Sequence, residues 1–566
     1  MPKIPSFTTS QYEEYLGEIK DEYTKVLSAT EEANFPKRIL NSDYTLWSSS
    51  PDEIVNRLGW LNLPESIESD IPVIKNFSRT VSENNFNSVL LLGMGGSSLA
   101  PEMFAKSFYE PSGIDITVLD TTDPDYIRSV RDRLDPAKTF VIVSSKSGST
   151  VETASLLNYF LQEYSKVIKK ENLGRYFASI TDPGSGLAKL SKSLDFENIF
   201  LNNPDIGGRF SALSFFGLVP AALTGLDLEK FMERAGSTAK LCGNNELTTN
   251  TGLRLGVLMG CFAENGLDKL TIYSSPEING LKFWIEQLVA ESTGKNGKGI
   301  LPVPEYPKDL NFSKDQYVVY LRLKGDIKAK KEIDEILGNE LPVIVLELED
   351  LYDLAGQIYL WEYATAVAGH ILQVNPFDQP NVESAKIHTR QFVEEYKESG
   401  IIEKEKPRII YKGIKFHSSF PVEDISSFLS LLEKTKEERG YVAIQAFLSP
   451  DTDTESKVSA FAKKITSDYR LPVTAGFGPR YLHSSGQLHK GDSGKGLFIQ
   501  LTSEIKNDIN IPDGPLSEHS SITFGILKNA QALGDYGALK DAGRNIISID
   551  IGSDVDTGLN KLLDIF

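Results

Sequence analysis

Several short stretches of this 566-residue chain concentrate side chains able to hold an anion or move a proton. The densest is Ser144-Ser145-Lys146-Ser147-Gly148-Ser149-Thr150-Val151-Glu152-Thr153. Val151, Ala154, Leu157 and Leu161 continue it at helical spacing, so the hydroxyls stand at a helix start. Unpaired N–H groups and the positive end of the helix dipole favour a negative charge there. Hydroxyls with one lysine at such a place make a cradle for a phosphate monoester. Ser149 and Glu152 also have the spacing of a capping box, which needs no ligand, but capping accounts for one serine and not for the run.

A second anion-friendly turn is Gly93-Met94-Gly95-Gly96-Ser97-Ser98, between the apolar run ending at Leu92 and a helix-like stretch. Glycines let the backbone approach a ligand closely. Asp120 ends the next apolar run, where a ribose-binding acid of a dinucleotide fold would stand. The third glycine of that fingerprint is replaced by Ser98, which disfavours a nicotinamide dehydrogenase. Two such turns at strand ends of one sheet favour a sugar phosphate, although a lone glycine turn is equally a structural feature.

Three further stretches supply charge. Gly207-Gly208-Arg209 offers a cation that can stabilise an anion but cannot carry a proton; its plain alternative is a surface ion pair. Glu291, in Ala290-Glu291-Ser292-Thr293-Gly294-Lys295, ends an amphipathic helix beside a glycine turn, where a carboxylate projects either into a cleft or into solvent. Asn375-Pro376 stops a long helix, and Gln379 and Lys386 fall near the start of the next.

The elements that position these groups read as α/β. Short apolar runs alternate with helical periods, the pattern of parallel sheets covered on both faces. Strands are expected at Ser88–Leu92, Ile116–Leu119, Thr139–Val143 and Tyr176–Ile180. A second set is expected at Lys269–Tyr273, Tyr317–Leu321 and Pro342–Leu346, after a helical stretch around 212–265. A third comprises Tyr441–Phe447, Leu471–Ala475, Leu497–Leu501 and Ile546–Ile551. The charged run 403–407 suggests a linker, and Trp47 and Trp60 are expected to pack against the downstream domains. The expected organisation is a helical segment over 1–84, phosphate-loop unit over 85–240, second α/β unit over 241–400, and a portion over 408–566 completing the second unit and the active site.

Composition narrows the partners. With 78 acidic against 59 basic residues the net charge is -19, which repels phosphate backbones and argues against nucleic acid. Cys242 and Cys261 have no metal-like spacing, and no apolar stretch is long enough to span a membrane. The expectation is a cytoplasmic protein with no metal.

Taken together, GMGGSSLAP, SSKSGSTVET, GGRFS, AESTGKNGKGI and NPFDQPNVESAK resemble the phosphoglucose isomerase (glucose-6-phosphate isomerase) family, in the family's order over about residues 85–390. The resemblance implies two sugar-isomerase-type doubly wound domains. It also implies interconversion of glucose 6-phosphate and fructose 6-phosphate through an enediol without a cofactor, and a homodimer with shared sites. Gly96, Ser97, Ser145, Lys146, Ser147, Thr150 and Thr153 would surround the phosphate. Arg209 would face the enediolate, Glu291 would be the base, and Gln379 and Lys386 would line the site, Lys386 assisting at the ring. A non-catalytic sugar-phosphate sensor and added activity on mannose 6-phosphate are the alternatives.

Ala100 and Ser147 are small departures from the family pattern, standing where it often has Gly and Thr, and one departure is larger. The family places a ring-opening histidine between the Glu and Gln-Lys motifs, often in Leu-His-Ser-x-Gly-Gln. Here Asp309-Leu-Asn311-Phe stands in that neighbourhood, and no histidine lies between Glu291 and His370. Leu482-His483-Ser484-Ser485-Gly486-Gln487 occurs instead in the third set, so His483 is the expected ring opener, with His489 in reserve and His370 structural. This arrangement resembles the isomerase half of transaldolase–phosphoglucose isomerase fusion proteins.

Overall fold

The computed structural model of the chain describes residues 19–109, 113–247, 249–308, 310, 312–339, 341–402 and 405–566. Asp309, Asn311 and the start of the expected linker, Glu403-Lys404, lie outside the described residues. Helices α1 (Lys20–Glu32) and α2 (Ile71–Glu83) precede the first sheet. Ile71, Ile74, Phe77 and Val81 recur at helical spacing on α2 and are all buried. Both tryptophans pack as expected: the Trp47 indole donates to the Ala366 carbonyl at 2.8 Å, and Trp60 stacks on Phe210.

The first sheet is built from β1 (Ser88–Gly93), then α3 (Gly96–Ser107), β2 (Asp115–Leu119), β3 (Thr139–Ser144), α4 (Val151–Ser165), β4 (Phe177–Thr181) and β5 (Asn198–Leu201). Its order is β2-β1-β3-β4-β5, parallel throughout. β3 is buried along its whole length, so it reads as an unbroken apolar run rather than an alternation. The winding reverses between β1 and β3, whose ends Gly93 and Ser144 are register partners. The two anion-friendly loops therefore leave neighbouring strand ends at the crevice where open parallel sheets take ligands.

Three helices, Phe215–Leu223, Leu228–Cys242 and Thr251–Glu264, fill the expected helical stretch. The second sheet comes next, with β6 (Lys269–Ser274), α5 (Gly280–Thr293), β7 (Leu301–Val303), β8 (Gln316–Leu323) and β9 (Val343–Leu348). It is parallel in the order β7-β6-β8-β9. Helix α6 (Leu354–Ile371) is buried from Leu354 to Gly369, and α7 (Glu383–Ser399) begins after the Asn375-Pro376 stop.

The remaining elements are β10 (Ile409–Tyr411), β11 (Ile414–Ser418), β12 (Tyr441–Phe447), β13 (Val473–Phe477), α8 (Gly486–Gly491), β14 (Gly496–Thr502), β15 (Asn510–Ile511), β16 (Ile522–Thr523), α9 (Phe524–Asp541) and β17 (Asn545–Asp550). β15 pairs with β16 in a small hairpin. The others form a third sheet in the order β10-β11-β17-β14-β12-β13. Its core strands are parallel, but β11 runs antiparallel to β17 and β10 antiparallel to β11, so this sheet is mixed.

The third sheet has its own apolar core, including Val442, Ile444, Ile499 and Ile549. It also shares a cluster with the second sheet, in which Tyr273, Ala290 and Val318 meet Tyr441, Leu488, Phe498 and Leu539. Helices α7 and α9 lie so close that a Cβ on Gly534 would come 2.4 Å from the Thr389 hydroxyl oxygen. Among the described residues no helix is long and apolar enough to cross a membrane.

Candidate active site

The glycine turn after β1 is where three units of the chain meet. Gly95 has φ +57°, a left-handed conformation that suits glycine. A Cβ there would come 2.8 Å from the His483 carbonyl oxygen, and one on Gly96 would come 2.0 Å from that of Gly208. Ser97 is half-buried beside it, and Ser98, at the place of the missing glycine, turns its hydroxyl back onto the Gly95 carbonyl at 3.0 Å. Asp120, the acid a dinucleotide reading requires, is paired with Arg480 at 3.3 Å.

The hydroxyl run begins α4, but the capping box does not form. Thr150 is the N-cap, its side chain makes no capping bond, and the Glu152 carboxylate meets His483 and Gln531 instead. The Ser147 and Ser149 hydroxyls lie 2.8 Å apart, and the Ser145 hydroxyl accepts from the Gly148 N–H at 3.2 Å. The Thr153 hydroxyl is buried without a hydrogen-bond partner. A cavity of about 190 Å³ opens here, lined by Ser145, Thr150 and Thr153 together with Leu157 and Leu187. Lys146 is less free than its place in the run suggests. It is ion-paired with Asp182 and donates to the Pro204 carbonyl at 2.8 Å. Burial pushes the Asp182 carboxyl up, and Lys146 only partly opposes that.

Arg209 is not a surface ion pair: its side chain is 3% exposed, and all three guanidinium nitrogens are engaged. Nε donates to the Ser292 hydroxyl and Nη1 to Gln379 Oε1, each at 2.8 Å. Nη2 donates to the carbonyls of Pro376 and Asp378 at 2.7 and 2.9 Å, and Glu291 Oε1 stands 3.0 Å from Nη1. Burial lowers its pKa and the neighbouring carboxylates oppose this; a guanidinium remains charged. The result is a fixed cation with a carboxylate beside it.

Glu291 sits on the last turn of α5 and is not a solvated side chain, being 15% exposed. Its Oε2 accepts from Gln287 Nε2 at 3.1 Å, and the same amide nitrogen donates to the His483 carbonyl at 2.8 Å. Gln287 lies one helical turn before Glu291, on the same face of α5. The turn after α5 is held by the His483 segment: Gln487 Nε2 donates to the Gly294 carbonyl at 2.9 Å and to Asn381 Oδ1 at 2.7 Å. Asn381 N–H donates back to Gln487 Oε1 at 2.9 Å. Lys295 donates to the Asn375 and Asp378 carbonyls at 2.7 Å each; burial and the adjacent Arg209 bring its pKa down to about 8.

His483 lies just after β13 on a short turn, and its Nε2 stands 3.0 Å from Glu152 Oε1. Burial pulls the imidazole pKa down, but the Glu152 charge and hydrogen bond outweigh it and leave it raised. Conversely, burial pushes the Glu152 carboxyl up and His483 overrides this, leaving it lowered. Lys386 is half-exposed, 3.6 Å from Glu383, and bears on both members of the pair through its charge alone. His489 is buried against Tyr481 and Phe498 with its pKa well below the ordinary value, chiefly through burial. His370 bonds the Leu46 carbonyl, and burial lowers its pKa.

Gly96, Arg209, Glu291, Gln379 and His483 thus converge within one chain, the hydroxyl loop adjoins them through Glu152, and Lys386 stands at the margin. A larger cavity of about 830 Å³, lined by Glu102, Asp120, Glu286 and Arg480 among others, contains none of these candidate residues. Sequence reasoning missed Glu152, Gln287 and Gln531, and named Gln487 only as the end of the histidine motif. Glu152 carried a signal, its place in the hydroxyl run, which the capping pattern masked; Gln287 and Gln531 carried none.

The family model described as phosphoglucose isomerase matches residues 44–300, so His483 lies beyond it. A probable glucose-6-phosphate isomerase of Methanococcus maripaludis is 31% identical over 348 residues, 53% of this chain and 77% of that protein. The glucose-6-phosphate isomerase of Mycoplasmopsis pulmonis is 28% identical over 60% of this chain and 90% of its own length. In fold, the chain is similar to a glucose-6-phosphate isomerase structure from Chlamydia trachomatis, with TM-score 0.56 and 18% identity. That match covers 66% of this chain and 86% of the other.

Proposed function

The chain belongs to the phosphoglucose isomerase family, and from that premise we propose that it is the enzyme interconverting glucose 6-phosphate and fructose 6-phosphate. The observation that carries this reading is the Arg209–Glu291 pair at 3.0 Å, joined to His483 through the single amide of Gln287.

Each part of the reaction has a group suited to it. The phosphate lies on the helix start at Ser145–Thr153 with Gly96 and Ser97 opposite, and that remote binding orients the reacting end. His483, its imidazolium stabilised by Glu152, exchanges a proton with the ring oxygen as the ring opens. Lys386 assists from the margin of the site. Glu291 removes the proton from C2 of the aldose as electrons move to the C1 carbonyl oxygen. The C2 hydroxyl proton passes to that oxygen, and the same carboxyl returns the carbon-bound proton to C1 while C2 becomes the carbonyl. Arg209 faces the enediolate charge between these steps, and it is held in place beforehand by Ser292, Gln379 and two carbonyls. In this reading the carboxyl-terminal portion completes the active site, the enzyme is cytoplasmic, and it forms a homodimer. The resemblance to the isomerase half of transaldolase fusion proteins rests on that same portion.

A coupled assay on fructose 6-phosphate, run with and without a chelator, tests the reading. Turnover unaffected by the chelator is expected. A folded protein that binds the sugar phosphate without turning it over would favour the sensor reading instead.

A further inference from the structure

Three buried polar residues on one face of α9 are left over once the reaction is accounted for: Lys528, Gln531 and Asp535, spaced by three and four positions. Each reaches a different part of the chain. Lys528 Nζ donates to Asp123 Oδ2 at 2.8 Å, at the cap of the helix after β2. Gln531 Nε2 donates to Glu152 Oε1 at 2.7 Å, while its Oε1 accepts from the Thr122 hydroxyl at 2.7 Å. Asp535 accepts from the Tyr481 hydroxyl at 2.6 Å and from Lys490 Nζ at 2.5 Å, residues that flank His483 on either side.

Glu152 opens α4 in the first unit and His483 follows β13 in the third sheet, so their separation depends on contacts between the two segments. Gln531 holds the first and Asp535, one helical turn later, holds the segment bearing the second. Both are essentially unexposed. A buried amide or carboxylate is costly unless bonded, and here Gln531 is bonded to Glu152 itself and Asp535 to Tyr481 and Lys490, in the segment that bears His483.

We propose that α9 is the gauge of that pair, with Gln531 and Asp535 as positioning residues that set the Glu152 carboxylate against the His483 ring. This rests on the reading of His483 as the ring-opening group. Neither residue touches substrate. Gln531 bonds the same oxygen that faces His483, so losing it frees the carboxylate to turn away, and the imidazole loses the interaction that holds its pKa up.

The test uses the full-length protein and the variants Gln531→Met, Tyr481→Phe and His483→Asn, each checked for wild-type melting. Tyr481→Phe keeps the buried Lys490–Asp535 pair and so supplies a second probe should Gln531→Met fold poorly. Imidazole resonances are titrated by NMR, His483 being assigned by its loss in His483→Asn. Turnover of cyclic substrate is compared with exchange on open-chain substrate. In Gln531→Met the His483 midpoint is expected to fall by about one pH unit, and both positioning variants should slow cyclic substrate about 10- to 100-fold with KM little changed. A wild-type His483 titration and a wild-type cyclic-to-open ratio in either folded variant would overturn the proposal. If His483→Asn itself fails to separate cyclic from open-chain substrate, the ring-opening role is wrong, and the NMR midpoint alone decides the positioning claim.

Discussion

His483 Nε2 and Glu152 Oε1 stand 3.0 Å apart although 331 positions separate them in sequence, one on the turn after β13 and the other at the start of α4 in the first unit. The contact binds the hydroxyl loop to the histidine turn and sets the charge state of both groups. His483 is raised, so its share of the stabilisation is full below the ordinary histidine pKa and is lost as pH rises through the folded value. Glu152 is lowered, so its share is present above the ordinary glutamate pKa and is lost as pH falls through the folded value. Glu152→Gln should therefore lower the His483 midpoint by about one unit or more, read by NMR, and its stability deficit should be largest near about pH 5 to 6.

Lys146 and Asp182 make a second, opposed pair of predictions. Lys146→Ala should weaken phosphorylated sugars about ten- to a hundred-fold while leaving unphosphorylated fructose little affected. Because Lys146 is ion-paired with Asp182, Asp182→Asn should act the other way and tighten phosphate binding several-fold. Titration calorimetry with a non-reactive sugar phosphate measures both. Equal losses against phosphorylated and unphosphorylated sugars would make the loop a structural cap.

Gly95→Ala should damage function more than stability. With φ +57° and ψ −126° this backbone costs a non-glycine residue about 1–3 kcal/mol, and the added Cβ would press on the His483 carbonyl. The expected result is a modest fall in melting temperature with a much larger fall in kcat, because the histidine turn and Gln287 must shift together.

Glu362 is fully buried on α6, both of its oxygens lack a hydrogen-bond partner, and burial raises its pKa well above the ordinary value. A carboxyl kept neutral in this way costs the fold more as pH rises above the ordinary glutamate pKa toward the folded one. Glu362→Gln should stabilise the protein, more at pH 8 than at pH 5, as thermal melts at the two values would record.

Much of this architecture can be read from the chain. Every expected strand forms, within two residues at either end, because parallel strands buried on both faces leave unbroken apolar runs such as Thr139–Val143. β5, β7 and the β10–β11 hairpin escape that criterion, being short or only partly buried. The hairpin turns through Lys412 and Gly413, both at positive φ, a turn that lacks the more familiar Asn-Gly signal. Within the site, Arg209, Glu291 and His483 stand out by type and neighbourhood. Gln287, which joins Glu291 to the His483 carbonyl, does not, because an amide's role depends on what approaches it in space. Glu152 was hidden by a local pattern it fits but does not use.

The most direct test of the account is exchange of the C2 proton of glucose 6-phosphate with solvent, measured for the wild type and for Glu291→Gln. The amide keeps the shape and can still face Arg209, which retains its bonds to Ser292, Gln379 and two carbonyls, so substrate affinity should stay near wild type. It cannot accept the proton, so exchange and isomerisation should fall together by about 10²- to 10⁴-fold. Retention of more than about a tenth of the wild-type rate would contradict Glu291 as the base.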